Sequence, residues 1–485
     1  MITELQRQLL PSALPVLPGV RIAGRYLLAD STVDAGSDWF DAVPIGDGRV
    51  AFVVGDVVGH GAAAVAAMGR LRAVLLDRLE ETGDIATAIK AADRTARRVA
   101  GAHAATVCVV VLDPVDGTMR SGSAGHPPPL VAGAGEARYL PVAGAGPLGT
   151  GTGCVLAEDR LEFGESVLLY SDGILRRLGR DPDAASAELI RAAGGGRAID
   201  QVCARVVEQL AGQTGHADDA VLLAAARRVP AAPLRLRLAA DLGALQPVRE
   251  ALHGWLDSLG AGSHDVDALA HAVAELVTNA AEHSHPDSVD GTVTVAARLE
   301  ADGTARITVA DDGRWIERTR PGDDGFRQDH GLGLALAHRF VDRLDLEHGD
   351  GGTTATIRHR LSQPVRLLAA EEADETARSA EAAAAPLVLV QPHAPGNRVA
   401  VHGPLDAVTV EEFAAELDRL TLGGTHKLVL DLTAVTFLGS AAVSVLHRAA
   451  AADSPPFLLY APENSLAHRV LRLAALPHTT TDPHP

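Results

Sequence analysis

Four aspartates stand where metal-assisted chemistry would need them. Asp38 lies in GSDWFD, Asp56 in VVGDVVGHG, Asp172 in LLYSDGI, and Asp218, followed at once by Asp219, in HADDAVLL. Each borders a short apolar run rich in Val, Leu, Phe or Tyr, so strand ends would deliver the carboxylates to one point. Hard divalent cations such as Mg²⁺ and Mn²⁺ take oxygen ligands and water, and a pair of them can activate water against a phosphate ester. Taken singly, each aspartate is equally a turn residue or a helix cap; the four settings together favour the chemistry. A second group lies in HAVAELVTNAAEHS, where His271, Glu275 and Asn279 share one helix face at i, i+4 and i+8. It is followed by VADDGRW (Asp311 and Gly313), HGLGLALAHRF (Gly331 and Gly333) and GGTTATI (Thr354). A third candidate is Ser440 in TFLGSAAV, a serine opening a helical run. Read by itself it is a helix N-cap.

The elements that must position these residues fall into three blocks. Residues 1–228 alternate strand-like runs (Val50–Val54, Thr106–Leu112, Ser166–Tyr170, Ala220–Ala224) with helical ones (Gly61–Glu81, Ile85–Ala100, Ala198–Leu210). The two prolines of ARRVPAAP mark a boundary. Residues 229–362 open with LRLRLAAD and continue through helices at Gln246–Leu259 and Val266–Glu282. Strands Gly291–Glu300 and Thr304–Asp311 then follow with DG turns. Residues 363–386 are Ala/Glu-rich and low in complexity, which reads as a mobile or helical linker from Val365 onward. Residues 387–478 alternate strands (Leu387–Gln391, Arg398–His402, Lys427–Leu432, Phe457–Tyr460) with helices. The fold class is therefore an α/β multidomain chain.

Composition narrows the functions. With 3% aromatic residues the cores must rest on Ala, Val and Leu, and a formal charge of −19 argues against nucleic-acid or anionic-membrane binding. Cys108, Cys154 and Cys203 form no CxxC and read as buried thiols in a reducing compartment. No run approaches a membrane span and no leader is visible, so the expected location is cytoplasmic. The Ala-rich helix Ala62–Leu79 would either support a homodimer or, more simply, pack on a sheet.

Together with RQLLPSALP, RYLLADSTVDAGSDWFDA, GDVVGHGAAAVAAMGRLRA and SAGHPPPLV, the first block resembles the SpoIIE-like (RsbU-like) branch of the PPM metal-dependent serine/threonine phosphatases. The resemblance implies an α/β/β/α sandwich with two Mn²⁺ or Mg²⁺ ions. Asp56 would bridge the ions beside the Val57 carbonyl, Asp38 would hold one, and Asp172 with Asp218 or Asp219 would hold the other. Ser37 departs from the family's glycine; Asp41 and His60 are nearby polar candidates, His60 either a ligand or a turn residue. The second block resembles the GHKL ATPases of the anti-sigma-factor kinase type (RsbW-like, SpoIIAB-like), a two-layer α/β sandwich. That implies ATP with Mg²⁺ on Asn279, adenine on Asp311, phosphates near Gly331 and Gly333, further contacts at Gly313 and Thr354, and Glu275 as general base. Its usual DxGxG reads Asp311-Asp312-Gly313-Arg314-Trp315 here, without the second glycine. The third block, with VAVHGPLDAVTVEEF and LVLDLTAVTFLGSAAVSVLHRAA, resembles the small α/β STAS domains of anti-sigma-factor antagonists. Ser440 is the implied phosphoacceptor and Thr436 a lesser one, while Gly439, Ala441 and Ala442 replace the family's acid and Ser-Gly.

These resemblances imply a metal-dependent phosphoserine phosphatase in a sigma-factor partner switch. Its substrate would be a phosphorylated STAS antagonist, either Ser440 or a separate protein, and its partners a sigma factor or anti-sigma factor. Two other readings stand beside it: a non-catalytic scaffold that binds such partners, and a net serine kinase.

Overall fold

The computed structural model describes residues 9–28, 37–134, 137–141, 145–178, 181–196, 198–211, 219–283, 291–313, 332–349, 351–368, 391–393, 398–421, 427–450 and 457–483. Asp218, Gly331 and most of the expected linker lie outside them.

The first block carries strands β1 (Ala13–Pro15), β2 (Val20–Leu27), β3 (Trp39–Pro44), β4 (Val50–Asp56), β5 (Thr106–Leu112), β6 (Thr118–Ala124), β7 (Leu130–Ala132), β8 (Arg138–Tyr139), β9 (Leu156–Arg160), β10 (Ser166–Tyr170) and β11 (Ala220–Arg227). Its helices are α1 (Ala62–Thr82), α2 (Ile85–Ala96), α3 (Asp172–Leu178), α4 (Pro182–Ala193) and α5 (Ile199–Ala211). One sheet runs β3-β4-β5-β6-β9, and β2, β11, β10, β7 and β8 follow one another in the second. Alternation along the strands assigns the layers. Val221, Leu223 and Ala225 of β11 join β4 and β5 in one core, whereas Ala220, Leu222 and Ala224 pack with Leu189, Val202 and Val206 of the helices. β4 and β5 are buried on both faces, which is why they read as unbroken apolar runs. The result is an α/β/β/α sandwich. Helix α1 buries a stripe at Val65, Met68, Leu71, Leu75 and Leu79 and stops at the left-handed Gly83. It packs on α2 and β3, the simpler of the two expectations for this helix. Cys108 and Cys203 are buried, while Cys154, in the segment just before the edge strand β9, is only half-buried.

The second block is a five-stranded antiparallel sheet, β12 (Leu234–Ala239), β13 (Thr292–Leu299), β14 (Thr304–Asp311), β16 (Gly352–Arg360) and β15 (Arg343–Gly349) in spatial order. Helices α6 (Leu245–Leu259), α7 (Ser263–His283) and α8 (Leu332–Phe340) share a hydrophobic core with it. The third block has β19 (Gln391–His393), β20 (Arg398–Leu405), β21 (Leu428–Leu438) and β22 (Phe457–Tyr460), the last three parallel. Its helices are α9 (Val410–Leu420), α10 (Ser440–Ala450) and α11 (Leu466–Leu473). Among the described residues no helix is long and apolar enough to cross a membrane.

One expectation fails at the start of the linker. Ser362–Pro364 forms β17, paired with β1, and Arg366–Leu368 forms β18, parallel to β2 at the edge of the second phosphatase sheet. Unsatisfied backbone on an edge strand is a strong template, and a Val-Arg-Leu-Leu stretch suits it. The first two blocks are thus stitched together rather than strung. Arg21 and Arg228 both donate to the Leu259 carbonyl, the Val16 amide donates to the Leu361 carbonyl at 3.1 Å, and the Val16 side chain enters the second block's core.

Candidate functional sites

In the first block, register brings the aspartates together in pairs. Trp39 of β3 lies opposite Gly55 of β4, which sets Asp38 and Asp56 at the same end of that sheet. Tyr170 of β10 lies opposite Leu222 of β11, and Ser171 exchanges hydrogen bonds with Val221, so Asp172 and Asp219 emerge side by side. Gly173 permits this approach: a Cβ there would sit 2.1 Å from the Asp219 carbonyl oxygen. The Tyr26 hydroxyl then links the two sheets. It lies 2.5 Å from Asp219 Oδ2 and 3.3 Å from the Asp38 carbonyl oxygen. Asp38 and Asp219 are buried, Asp56 is partly buried and Asp172 more exposed.

The donors are carboxylates and a carbonyl, all hard oxygen, which suits Mg²⁺ or Mn²⁺. Their present partners are protein groups. Arg176 pairs with Asp172, and Ser37 Oγ approaches Asp56 Oδ1 (3.4 Å), the Gly59 carbonyl (3.0 Å) and the Val57 carbonyl. Among the described residues no three His, Cys, Asp or Glu side chains are gathered closely enough to hold a metal ion. His60 is exposed. Asp41 is buried against Arg72, which donates to both carboxylate oxygens at 2.6 and 2.8 Å. Burial pushes its carboxyl up to about 6 despite the guanidinium.

In the second block α7 has an apolar face of Leu269, Val273, Leu276 and Val277 on the sheet. The adjoining face carries His271 and Glu275, both buried, and Asn279, partly exposed one turn beyond. Asp311 ends β14 and accepts from the Gly313 amide at 3.0 Å. Asp312 beside it pins the sheet by accepting from the Thr292 amide (2.8 Å) and hydroxyl (2.7 Å), while Trp315, which stands where the motif has its second glycine, lies outside the described residues. Thr354 sits on β16 opposite Ala310, next to Asp311.

The sequence singled out Glu275 and Ser440 in separate motifs; the structure joins them. Ser440 Oγ donates to Glu275 Oε2 at 2.6 Å, and the Ser440 amide donates to Oε1 at 2.8 Å. Glu275 is 4% exposed, and this burial raises its carboxyl above the usual range while the two Ser440 hydrogen bonds pull it back. Gly333 of α8 makes room, since a Cβ there would lie 2.3 Å from Glu275 Oε2 and 3.1 Å from Ser440 Oγ. The altered residue before Ser440 also makes physical sense. A Cβ on Gly439 would stand 3.4 Å from Glu275 Oε1, so an acid there would set carboxylate against carboxylate. Two ion pairs clamp the contact, Arg249–Asp406 at 2.8 Å and Arg469–Asp267 at 2.6 Å. Thr436 is exposed and outside it. Neither clamp, nor the Tyr26 link, carries a motif; only long-range geometry reveals them.

Comparison with known proteins matches the three blocks in order. A family model described as stage II sporulation protein E (SpoIIE) matches residues 46–228, one described as a histidine kinase-like ATPase domain matches 238–359, and a STAS domain model matches 390–452. The crystal structure of the RsbU and RsbW domains of Rv1364c from Mycobacterium tuberculosis is 41% identical, covering 74% of this chain and 98% of that one at a TM-score of 0.67. This chain belongs to the RsbU–RsbW fusion family. Its RsbW-like block is also similar to the anti-sigma F factor of Heyndrickxia coagulans, 30% identical over 135 residues, which are 26% of this chain and 82% of that protein. A blue-light-activated histidine kinase 2 from Erythrobacter litoralis (strain HTCC2594) is 33% identical over 103 residues, 20% of this chain, and the chain spans 29% of that relative's length. The chain therefore has a partner-switching architecture: a PP2C-like phosphatase, a kinase-like ATPase and a STAS domain in series.

Proposed function

We propose that this chain is a metal-dependent protein-serine phosphatase carrying its own kinase and acceptor, with Ser440 as the internal site that is phosphorylated and cleared. The observation that carries the reading is the 2.6 Å hydrogen bond from Ser440 Oγ to the buried Glu275 carboxylate. A carboxylate in that position takes the hydroxyl proton as the oxygen becomes a nucleophile. Burial, which raises its basicity, makes it a better proton acceptor than an ordinary surface glutamate. Asn279, Asp311, Gly313, Gly333 and Thr354 are the described residues that would hold ATP with its Mg²⁺, which supplies the phosphoryl group.

For removal of the phosphate by hydrolysis, which releases inorganic phosphate, Asp38, Asp56, Asp172, Asp219 and the Val57 carbonyl would hold two divalent cations, which would supply an activated water and neutralise the phosphoryl oxygens. Tyr26 keeps Asp219 in place against the Asp38 strand, and Gly173 sets the spacing between Asp172 and Asp219. Ser440 is held inside the ATPase block, so hydrolysis of its phosphate requires either undocking of the STAS block or action on a second chain. The cellular target is then a sigma factor or its antagonist, released or captured as the STAS block changes state, in the cytoplasm.

Preparing the chain phosphorylated on Ser440 and following phosphate release with Mn²⁺ tests this. Release from the wild type that is abolished by Asp56→Ala supports it. Retention of phosphate by the wild type would favour a scaffold reading, for which the two ion pairs closing the ATPase block onto the STAS block speak.

A further inference from the structure

Three residues before Ser440, the side chain of Phe437 leaves its own block. It is 5% exposed and belongs to the hydrophobic core of the RsbW-like block, not to that of the STAS block. Its ring lies 4.9 Å from the His271 ring at an interplanar angle of 31°, and His271 is in turn 4.5 Å from Phe340 of α8. The Arg249 guanidinium lies 4.8 Å from the Phe437 centroid, within cation–π range, while also pairing with Asp406. His271 itself is wholly buried, and neither ring nitrogen has a hydrogen-bond partner among the described residues. Such a residue is expensive to keep in a core. Its Nε2 stands 3.8 Å from Glu275 Oε1, so the ring lies between the aromatic contact and the carboxylate that holds Ser440.

We propose that His271, Phe340 and Arg249 form a recognition socket for an aromatic residue at the third position before the acceptor serine. The RsbW-like block thereby selects STAS-type loops of the pattern aromatic-x-x-serine, its own or those of another chain. This rests on the reading of Ser440 as acceptor. The socket is a specificity determinant and His271 a positioning residue; neither touches the transferred group. The chemistry is that of interface anchors generally, in which one desolvated aromatic with a flat cationic lid supplies most of the discrimination. Spacing does the rest. With Phe437 seated at the end of β21, Ser440 at the start of α10 meets Glu275 with both its amide and its hydroxyl.

The test uses full-length chains in trans, a Ser440→Ala chain as kinase and a Glu275→Ala chain as acceptor, both also carrying Asp56→Ala so that label is not cleared, with ATP and Mg²⁺. Label on Ser440 is followed against acceptor concentration. Phe437→Ala in the acceptor is expected to raise KM at least tenfold with kcat within about threefold, and Phe437→Tyr to restore most of the loss. Because Phe437 is outside the STAS core, that block should still fold. A misfolded fraction of acceptor would raise the apparent KM only by the inverse of the folded fraction, so a urea transition showing the variant fully folded leaves a tenfold rise to the socket. Arg249→Ala in the kinase chain should raise KM toward both acceptors through the lost Asp406 pair, and by a larger factor toward the intact acceptor, which also loses the Phe437 contact. Equal KM for acceptors with and without the Phe437→Ala substitution, with the intact acceptor labelled, would overturn the socket alone. No label on the intact acceptor would overturn the acceptor reading, and the socket with it.

Discussion

Replacing Gly333 by alanine adds a single methyl group at the Glu275–Ser440 junction. That Cβ would lie 2.3 Å from Glu275 Oε2 and 3.1 Å from Ser440 Oγ, and the glutamate has almost no exposed surface through which to swing aside. The hydrogen bonds at stake are two, from an amide and a hydroxyl to a buried carboxylate, each worth about 1.5–3 kcal/mol. Alanine in place of glycine inside α8 returns about 1 kcal/mol of helix stability. That gain is common to the docked and undocked chain, so docking of the STAS block should weaken by about 3–6 kcal/mol if both hydrogen bonds are lost. Hydrogen exchange on the nucleotide-free chain isolates this from any effect on ATP. The Ser440 amide and the first turn of α10 should lose at least tenfold in protection, while α8 stays protected. Unchanged protection at Ser440, with the chain about 1 kcal/mol more stable, would show that the carboxylate yields to the methyl and that the junction is not a tight contact.

Other outcomes follow from the same geometry. Asp56→Ala should abolish metal-dependent phosphate release with little change in the urea midpoint, because Asp56 is only partly buried at its strand end. Arg72→Ala should destabilise the phosphatase block by about 3 kcal/mol in urea titration, because it leaves Asp41 buried without its partner. His271, held down to about 3 by burial and by the nearby Arg249 and Arg469, gives the fold a pH dependence. The unfolded chain binds a proton near 6.5 that the folded one refuses, so this contribution is fully present above pH 6.5 and is lost as pH falls. The loss reaches about 2 kcal/mol at about pH 5. Glu275, on the same helix, is shifted up and slopes the opposite way, stabilising as it protonates at lower pH. Urea midpoints at about pH 7.5 and about pH 5 for the wild type and His271→Leu would isolate the histidine: the variant should lose that part of the slope.

How much of this was legible in the sequence varies with the range of the interaction. Helices and strands are readable because burial imprints itself locally. Residues 107–112 of β5 are apolar throughout because they are covered on both faces, and LRLRLAAD alternates because one face of β12 is open. Glu275 and Ser440 can each be singled out from their own motif, but nothing local says that they meet across 165 positions. In the sequence His271 is one more member of a helix face; its role depends on Phe437, which comes from another block. Arg366–Leu368 reads as linker because three residues carry no periodicity, and only the open edge of β2 explains their strand. The roles of Ser37 and Tyr26 are hidden for the same reason, since their partners are carbonyls and a carboxylate brought in by the fold.

The most direct measurement is the mass-spectrometric occupancy of Ser440 after the full chain is incubated with ATP, Mg²⁺ and Mn²⁺, in the wild type, Asp56→Ala and Glu275→Gln. If one chain type both writes and clears this phosphate, Asp56→Ala will accumulate phosphate on Ser440 well above the wild type, and Glu275→Gln will carry none. Equal occupancy in the wild type and Asp56→Ala, or phosphate on Ser440 in Glu275→Gln, would contradict the account.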